Sequence, residues 1–370
     1  MNYNKFHSKF IRPAAWLLAV LCLFLCGCGM LGNGREDESG ESSTIGTIGA
    51  IGESFAVHFI DVGQGDATLI LCDGKSMLID GGDKSASSTV YTYLKKQGLT
   101  YLDYVVCTHP DADHVGGLSG ALEQAKAGTV YCPFDDYDSK AFQNFKTRVE
   151  AQGKQLIRPA VDTVFSLGSA TVTVLAPRAD YTDTNESSIV LRVVYGSTSF
   201  LFTGDAEHES ETAMCDAGVT LKSTVLKVGH HGSDTSTSIR FLREVEPQYA
   251  VISCGKNNKY GHPTEQTLSR LRQAGVTVYR TDLQGDIICE SDGTKVTFRT
   301  ARNSGATLPP DTTAATAPTE YAFVGNTGTK VYHKLTCSFV PSEQNSIWFL
   351  TSEQAESAGY TPCKRCLGGG

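Results

Sequence analysis

The first apolar run of the chain, Ala14–Leu25, carries no charge and follows three basic residues, Lys5, Lys9 and Arg12. Twelve residues make about 18 Å of helix, too short for a permanent bilayer crossing, and the arrangement predicts a signal-peptide core. Gly29–Glu53 is rich in Gly, Ser, Thr and acidic residues with little to bury, and predicts a tether. From Phe55 the pattern changes to short apolar segments. Phe55–Ile60 alternates and runs into the turn Asp61-Val62-Gly63-Gln64-Gly65-Asp66. Ala67–Cys72 and Met77–Ile79 follow as strands, split by Asp73-Gly74 and closed by Asp80-Gly81-Gly82. Thr89–Gln97 has helical spacing, and Tyr104–Cys107 is a continuous apolar strand of the buried type. Val161–Leu175 and Ile189–Phe202 predict further strand pairs, and Glu207–Cys215 a helix. Strand and helix then alternate: Val225–Val228, Ser236–Arg243, Ala250–Ser253 and Glu265–Gln273. Val276–Tyr279, Gly285–Cys289 and Lys295–Phe298 close the region. Sheets covered by helices, an α/β class, follow from this order.

Residues 302–319 are rich in Thr, Ala and Pro and predict a linker to a last small unit. The expected plan is a signal peptide over 1–27, a tether over 28–53, a main domain over 54–301, a linker over 302–319 and a C-terminal domain over 320–370. A net charge of −8 removes any global basic field for nucleic acid. Of twelve cysteines, Cys22, Cys26 and Cys28 lie in the leader. Cys72, Cys107, Cys132, Cys215, Cys254 and Cys289 stand singly and read as small buried residues. That distribution is no disulfide framework.

Two clusters carry chemistry. The strand at Tyr104–Cys107 runs into His109-Pro110-Asp111-Ala112-Asp113-His114, followed by a helix begun by Gly116-Gly117. A polar loop with capping aspartates is the plain alternative, but it does not explain four such groups within six residues. Imidazole and carboxylate together suit a divalent cation such as Zn²⁺ or Mn²⁺. At the other end, His333 and Cys337 precede Cys363 and Cys366. One imidazole and three thiolates make a tetrahedral zinc set, and a fifty-residue unit with little core needs such a staple. A Cys363–Cys366 disulfide and a redox pair are the rivals.

The HxDxDH segment, with DVGQGD, IDGG, TGD, HHGS and YGHP around it, resembles the metallo-β-lactamase fold superfamily, whose signature is HxHxDH with Asp111 replacing the second His. Over Ser54–Thr300 it resembles the C-terminal hydrolase domain of ComEC competence proteins, and is also similar to phosphorylcholine esterases. The resemblance implies a four-layer αββα sandwich, plus a small α+β, zinc-stapled C-terminal domain similar to the zinc-binding module of Ada. It implies two divalent metal ions, one on His109 and Asp111 and the other on Asp113 and His114, with Asp205 bridging and His262 a late ligand. Asp61, Asp80 and Asn185 are expected to support the ligands without binding metal. Asn185 stands where the superfamily usually has a further His, which shifts preference towards Mn²⁺ or weakens occupancy. Of His230 and His231, one is expected as ligand or proton donor, with His230 favoured and His231 equally suited to a supporting hydrogen bond. Asp113, His230 and His231 are the candidate catalytic residues. Two cations sharing Asp205 would activate water against a phosphoryl or carbonyl group.

Leu25-Cys26-Gly27-Cys28 resembles a bacterial lipobox, which implies lipidation of Cys28 and residence at the extracellular face of the membrane; a plain secretory signal is the alternative. The resemblance implies a phosphodiesterase acting on DNA, with DNA-uptake machinery as a partner. A choline-type envelope phosphodiesterase and a non-catalytic DNA-binding lipoprotein are the competing readings. Lys330, Lys334, Lys364 and Arg365 are offset by Glu320, Glu343, Glu353 and Glu356, so charge in the tail argues little for DNA.

Overall fold

The apolar segments that follow Phe55 form two sheets that face one another. A computed structural model describes residues 54–307, 322–335, 337, 339–341, 345–349 and 351–368. The signal peptide, Cys28, the 28–53 tether and all but the start of the 302–319 linker lie outside the described residues. The first sheet takes β1 (Phe55–Phe59), β2 (Thr68–Cys72), β3 (Lys75–Ile79), β4 (Tyr101–Val106), β5 (Lys126–Tyr131) and β6 (Leu156–Ile157). The second takes β7 (Val164–Leu167), β8 (Ala170–Ala176), β9 (Val190–Tyr195), β10 (Thr198–Phe202), β11 (Val225–Lys227), β12 (Tyr249–Ile252) and β13 (Thr277–Arg280). The chain then returns to the first sheet with β14 (Ile287–Ser291) and β15 (Val296–Thr300). The strand orders are β15-β14-β1-β2-β3-β4-β5-β6 and β13-β12-β11-β10-β9-β8-β7.

Between the sheets lies one core, in which Phe55, Val57, Phe59, Met77 and Val106 meet Val172, Leu191, Phe200, Phe202 and Val251. The outer face of the first sheet is covered by α1 (Ser87–Lys96), α3 (Leu118–Gln124) and α4 (Lys140–Ala151), and α2 (Ala112–Val115) is a single turn between β4 and α3. The outer face of the second is covered by α5 (His208–Asp216), α6 (Ile239–Val245) and α7 (Glu265–Gln273), with α8 (Thr281–Gln284) a short turn after β13. These helices form for local reasons. Val90 and Leu94 repeat at i,i+4 on α1, and Leu268 and Leu271 at i,i+3 on α7. Thr264 caps α7 by accepting the Thr267 N–H. The four layers are therefore helix, sheet, sheet, helix, as the resemblance implies.

Among the elements of the main domain that the sequence reading does not contain, β5 and α4 are the longest. β5 contains Lys126 and Gly128, poor strand formers; Gly128 is required because a side chain there would strike the Asp103 carbonyl on β4. α4 carries Phe142, Phe145 and Val149 as a buried stripe behind the Ser139 cap, a helical signature that was available. The Gly116-Gly117 pair separates α2 from α3 instead of opening a single helix, because Gly117 lies against the Gly81 carbonyl too closely for any side chain. Among the described residues, no helix is long and apolar enough to cross a membrane.

The C-terminal residues form a four-stranded sheet of β16 (Phe323–Asn326), β17 (Val331–Lys334), β18 (Ser346–Phe349) and β19 (Thr361–Pro362), in the order β18-β16-β17-β19, with α9 (Ser352–Ser357). Its described core is small: Tyr332, Phe349, Ala355 and Tyr360 cluster with half-buried Phe323, Ile347 and Leu367, and Val324 is buried on β16.

Candidate metal centre

β3 and β4 run parallel in one sheet, and β10, β11 and β12 in the other, so their C-terminal ends come out at one edge of the sandwich. Asp80 follows β3, His109 follows β4, Asp205 follows β10, and Gly229–Gly232 follows β11. The single turn of α2 adds Asp113 and His114. His109, His114, Asp205 and His231 are buried there.

His114 Nδ1 lies 2.9 Å from Asp80 Oδ2, and Asp80 also accepts from the Thr108 N–H at 2.8 Å and its Oγ1 at 2.7 Å. A carboxylate on Nδ1 fixes the tautomer and turns the Nε2 lone pair inward. His231 Nδ1 donates to the Ser253 carbonyl at 3.0 Å, with the same result. The two Nε2 atoms approach to 3.3 Å. Asp205 Oδ1 stands 3.2 Å from His114 Nε2, and His231 Nε2 stands 3.3 Å from Asp205 Oδ2 and 3.2 Å from Asp113 Oδ2.

Despite that proximity, Asp205 Oδ1 is out of line for a hydrogen bond. Asp205 Oδ1, His109 Nε2 and Asp66 Oδ1 are all buried polar atoms without a hydrogen-bond partner. Each such atom costs about 1–3 kcal/mol when left unsatisfied. Donor atoms of Asp66, His114, Asp205 and His231 all lie within 4.8 Å of one another. Mixed imidazole and carboxylate donors with unmet lone pairs fit a divalent cation.

The electrostatics agree. Burial would lower the pKa of His114 and His231, but Asp205 and its neighbouring carboxylates hold both well above the ordinary value. Burial likewise opposes the charge on Asp205, yet His114 and His231 hold it well below the carboxylate range. Positive charge is thus demanded at this point. His109 is the exception: burial, with His114 beside it, pushes its pKa down to about 3, so it is a neutral donor.

His230 and His231 both take left-handed backbone conformations, with φ of 46° and 54°, at a cost of about 1 kcal/mol each. The turn sends the two rings apart. His231 enters the cluster, whereas the favoured His230 stays at its open side, 22% exposed, with Nδ1 2.8 Å from Glu207 Oε1 and Nε2 3.8 Å from Asp205 Oδ2. Burial lowers the His230 pKa, but the Glu207 carboxylate more than offsets it and the net direction is upward.

Other expectations need correction. Asn185 does not support the ligands directly; its amide binds Glu207 Oε1 at 3.3 Å. Ser188 takes that place, with Oγ 3.4 Å from His109 Nδ1 and accepting the Asp205 N–H at 3.1 Å. Asp61 points away, its Oδ2 2.9 Å from Arg302, because the turn after β1 presents its far end, not its start, to the cluster. Asp111 needs no such correction: at the N-terminus of α2, with its side chain 36% exposed, its Oδ2 lies 3.9 Å from His109 Nε2. The His262 ring lies 5.4 Å from that of His230 and 6.5 Å from that of His231, beside the converging donors and not among them.

Sequence reasoning missed Asp66, Lys227 and Glu207. Lys227 Nζ lies 2.6 Å from Asp66 Oδ2 and donates to the Val228 carbonyl at 2.8 Å. Both side chains are almost fully buried, and Asp66 Oδ1 is 3.4 Å from His231 Nδ1. A lysine within Val225-Leu226-Lys227-Val228 was the available signal, since a charge inside a buried strand demands a partner. Gly65 brings the turn up to the metal loop: a side chain there would overlap the Asp113 carbonyl, which accepts the Asp66 N–H at 3.2 Å. Breaking a buried pair costs about 3–5 kcal/mol. Lys227→Met is therefore expected to lower unfolding stability by roughly that amount and to weaken cation uptake, measured by urea denaturation and Mn²⁺ titration. Unchanged values in both would remove the pair from the centre.

In the C-terminal domain, donor atoms of His333, Cys337, Cys363 and Cys366 also lie within 4.8 Å of one another. His333 Nδ1 is 3.5 Å from Cys337 Sγ, and the Lys334 N–H donates to Cys366 Sγ at 3.4 Å. All described cysteines are free thiols, so four donors gather at a zinc-sized spacing and no sulfur pair closes. Of the six single cysteines, five are buried and Cys215 is half-buried.

Residues 60–256, more than half of the chain, match the metallo-beta-lactamase superfamily. The chain belongs to that superfamily. Residues 313–367 match the metal binding domain of Ada. The chain is also 31% identical over 250 residues to ComE operon protein 3 of Bacillus subtilis (strain 168), covering 62% of this chain and 32% of that protein. It is 36% identical over 232 residues to competence protein ComA of Neisseria gonorrhoeae, covering 62% and 31%. The chain thus spans about a third of the length of the curated relatives it matches. Among solved structures, the metallo-beta-lactamase fold protein YhfI from Bacillus subtilis aligns with a TM-score of 0.45 and 15% identity, covering 64% of this chain and all of that one. This superfamily member is a metal-dependent hydrolase related to competence proteins, with a His/Asp site in the main domain and a Cys/His zinc-binding site in the tail.

Proposed function

We propose that residues 54–301 are a phosphodiesterase acting on DNA, held at the extracellular face of the membrane by a lipid on Cys28 and working with DNA-uptake machinery. The observation that carries the hydrolytic part is the convergence of half-buried Asp113 with buried His114, Asp205 and His231 beside the unpartnered His109 Nε2. Asp113, His114, Asp205 and His231 would hold one cation, and His109, Asp111 and Asp205 a second. Divalent cations there supply Lewis acidity towards a phosphoryl oxygen and acidify water. Asp80 and the Ser253 carbonyl keep the two inner imidazoles in the ligating tautomer. His230 presents Nε2 to the open side while Glu207 holds Nδ1, which favours the protonated ring and suits it to hand a proton to a leaving alkoxide. DNA as substrate is supported by relatives named for competence and by the tail's match to a module of Ada.

The test offers bis-p-nitrophenyl phosphate, single- and double-stranded DNA and p-nitrophenyl phosphorylcholine to residues 54–370 with Mn²⁺ or Zn²⁺. DNA cleavage that disappears in Asp113→Ala is expected. Turnover of the choline ester alone would move the substrate to the cell envelope, and DNA retention without turnover would leave a binding protein.

A further inference from the structure

We propose that the loop Gly255–His262 is a subsite for a nucleobase of single-stranded DNA next to the scissile phosphate, with Tyr260 as stacking platform and Lys256 and Lys259 as phosphate contacts; it rests on the DNA reading above. An exposed tyrosine alone is ordinary. This one is singled out by where it stands and by what holds it there.

The loop leaves β12 just after Ser253, the residue whose carbonyl orients His231. The Gly255 N–H donates to Gln64 Oε1 at 3.0 Å, which ties the loop to the turn carrying Asp66. Asn258 pins its interior. Its amide donates to the Gly255 and His262 carbonyls, and its Oδ1 accepts the Tyr260 N–H at 3.2 Å and the His262 N–H at 3.0 Å. Three rings then step outward from the metal centre. His231 and His262 are stacked with centroids 6.5 Å apart and planes at 28°, and His262 and Tyr260 follow at 5.8 Å and 24°. The column ends on Tyr260, which is 56% exposed. Beside it, nothing lies within 4 Å of the position a side chain on Gly261 would occupy.

Charge selects the ligand. Lys256 and Lys259 are exposed and form no ion pair among the described residues, and Lys259 Nζ stands 5.0 Å from the Tyr260 ring centre. Aromatic faces interleaved with unpaired cations match bases and phosphates of a single strand. A quaternary ammonium would be repelled by the Lys259 charge beside the ring, whereas a phosphate draws that flexible side chain onto itself and leaves the ring face to the base. Duplex DNA keeps its bases stacked on one another, so the single strand is the form that fits.

The test compares the wild-type chain, Tyr260→Ala and Tyr260→Phe, all with Mn²⁺, on a single-stranded oligonucleotide and on the same oligonucleotide made abasic around the cleavage point. Tyr260→Ala is expected to raise KM for the base-bearing strand roughly tenfold, with much less effect on kcat. Tyr260→Phe is expected to restore the wild-type KM, and the abasic strand to show no difference between the wild type and Tyr260→Ala. An equal effect of the Ala variant on both strands, or none on either, overturns the subsite while leaving the nuclease reading standing. Failure of the wild-type chain to cleave either strand overturns the DNA reading and the subsite with it.

Discussion

Asp205→Asn is expected to lower kcat/KM on a small phosphodiester by at least about a thousandfold, near 4 kcal/mol, and to reduce the Mn²⁺ the chain takes up. The substitution keeps shape and the backbone N–H bond to Ser188 Oγ, so the loop after β10 stays in place. What it removes is the one charge that faces His114 on one oxygen and His231 on the other. A neutral amide would hold a cation less well than a carboxylate, and the positive charge demanded at this point loses its counterpart. Asp61→Asn is the matched control. That carboxylate pairs with Arg302 outside the cluster, so the same chemical change there is expected to alter turnover by less than about twofold. Similar losses in both variants would mean that the strand ends do not distinguish the two aspartates as described.

Cys363→Ser is expected to unfold the C-terminal domain while the main domain keeps its hydrolytic centre. Besides the cysteines, the described buried apolar side chains are Val324, Tyr332, Phe349, Ala355 and Tyr360, too small a core to hold this unit alone. Binding of structural zinc at such a site contributes about 10–16 kcal/mol at neutral pH, which exceeds anything this core supplies. Trp348, on β18, is the sole tryptophan after residue 54, so its emission reports on this domain in the 54–370 chain. A red shift is expected in Cys363→Ser and, in the parent chain, on adding a chelator, with reductant alone having no effect. Sensitivity to reductant and indifference to chelator would make Cys363 and Cys366 a disulfide.

Much of this was legible in the residue pattern because strand ends are legible. Short apolar runs that stop at Asp80, His109 and Asp205 mark where parallel strands deliver their side chains, and HxDxDH concentrates donors on one loop. What could not be read was direction within turns. His230 and His231 are chemically equal neighbours, and only the left-handed backbone at both decides that His231 enters the cluster. Asp61 and Asp66 bracket one turn, and only its approach to the Asp113 carbonyl, allowed by Gly65, brings the second inward. Ser188 replaces the expected role of Asn185 for a similar reason: the two residues between them, Glu186 and Ser187, carry the chain past Glu207 and into the cluster. Lys227 was a different kind of omission, since a cation inside an apolar strand is visible without any structure.

The most direct test of the centre is anomalous diffraction from crystals grown with Mn²⁺. A peak enclosed by Asp113, His114, Asp205 and His231, with a second beside His109 Nε2, is the predicted result. An anomalous map with no peak among these side chains would contradict the account.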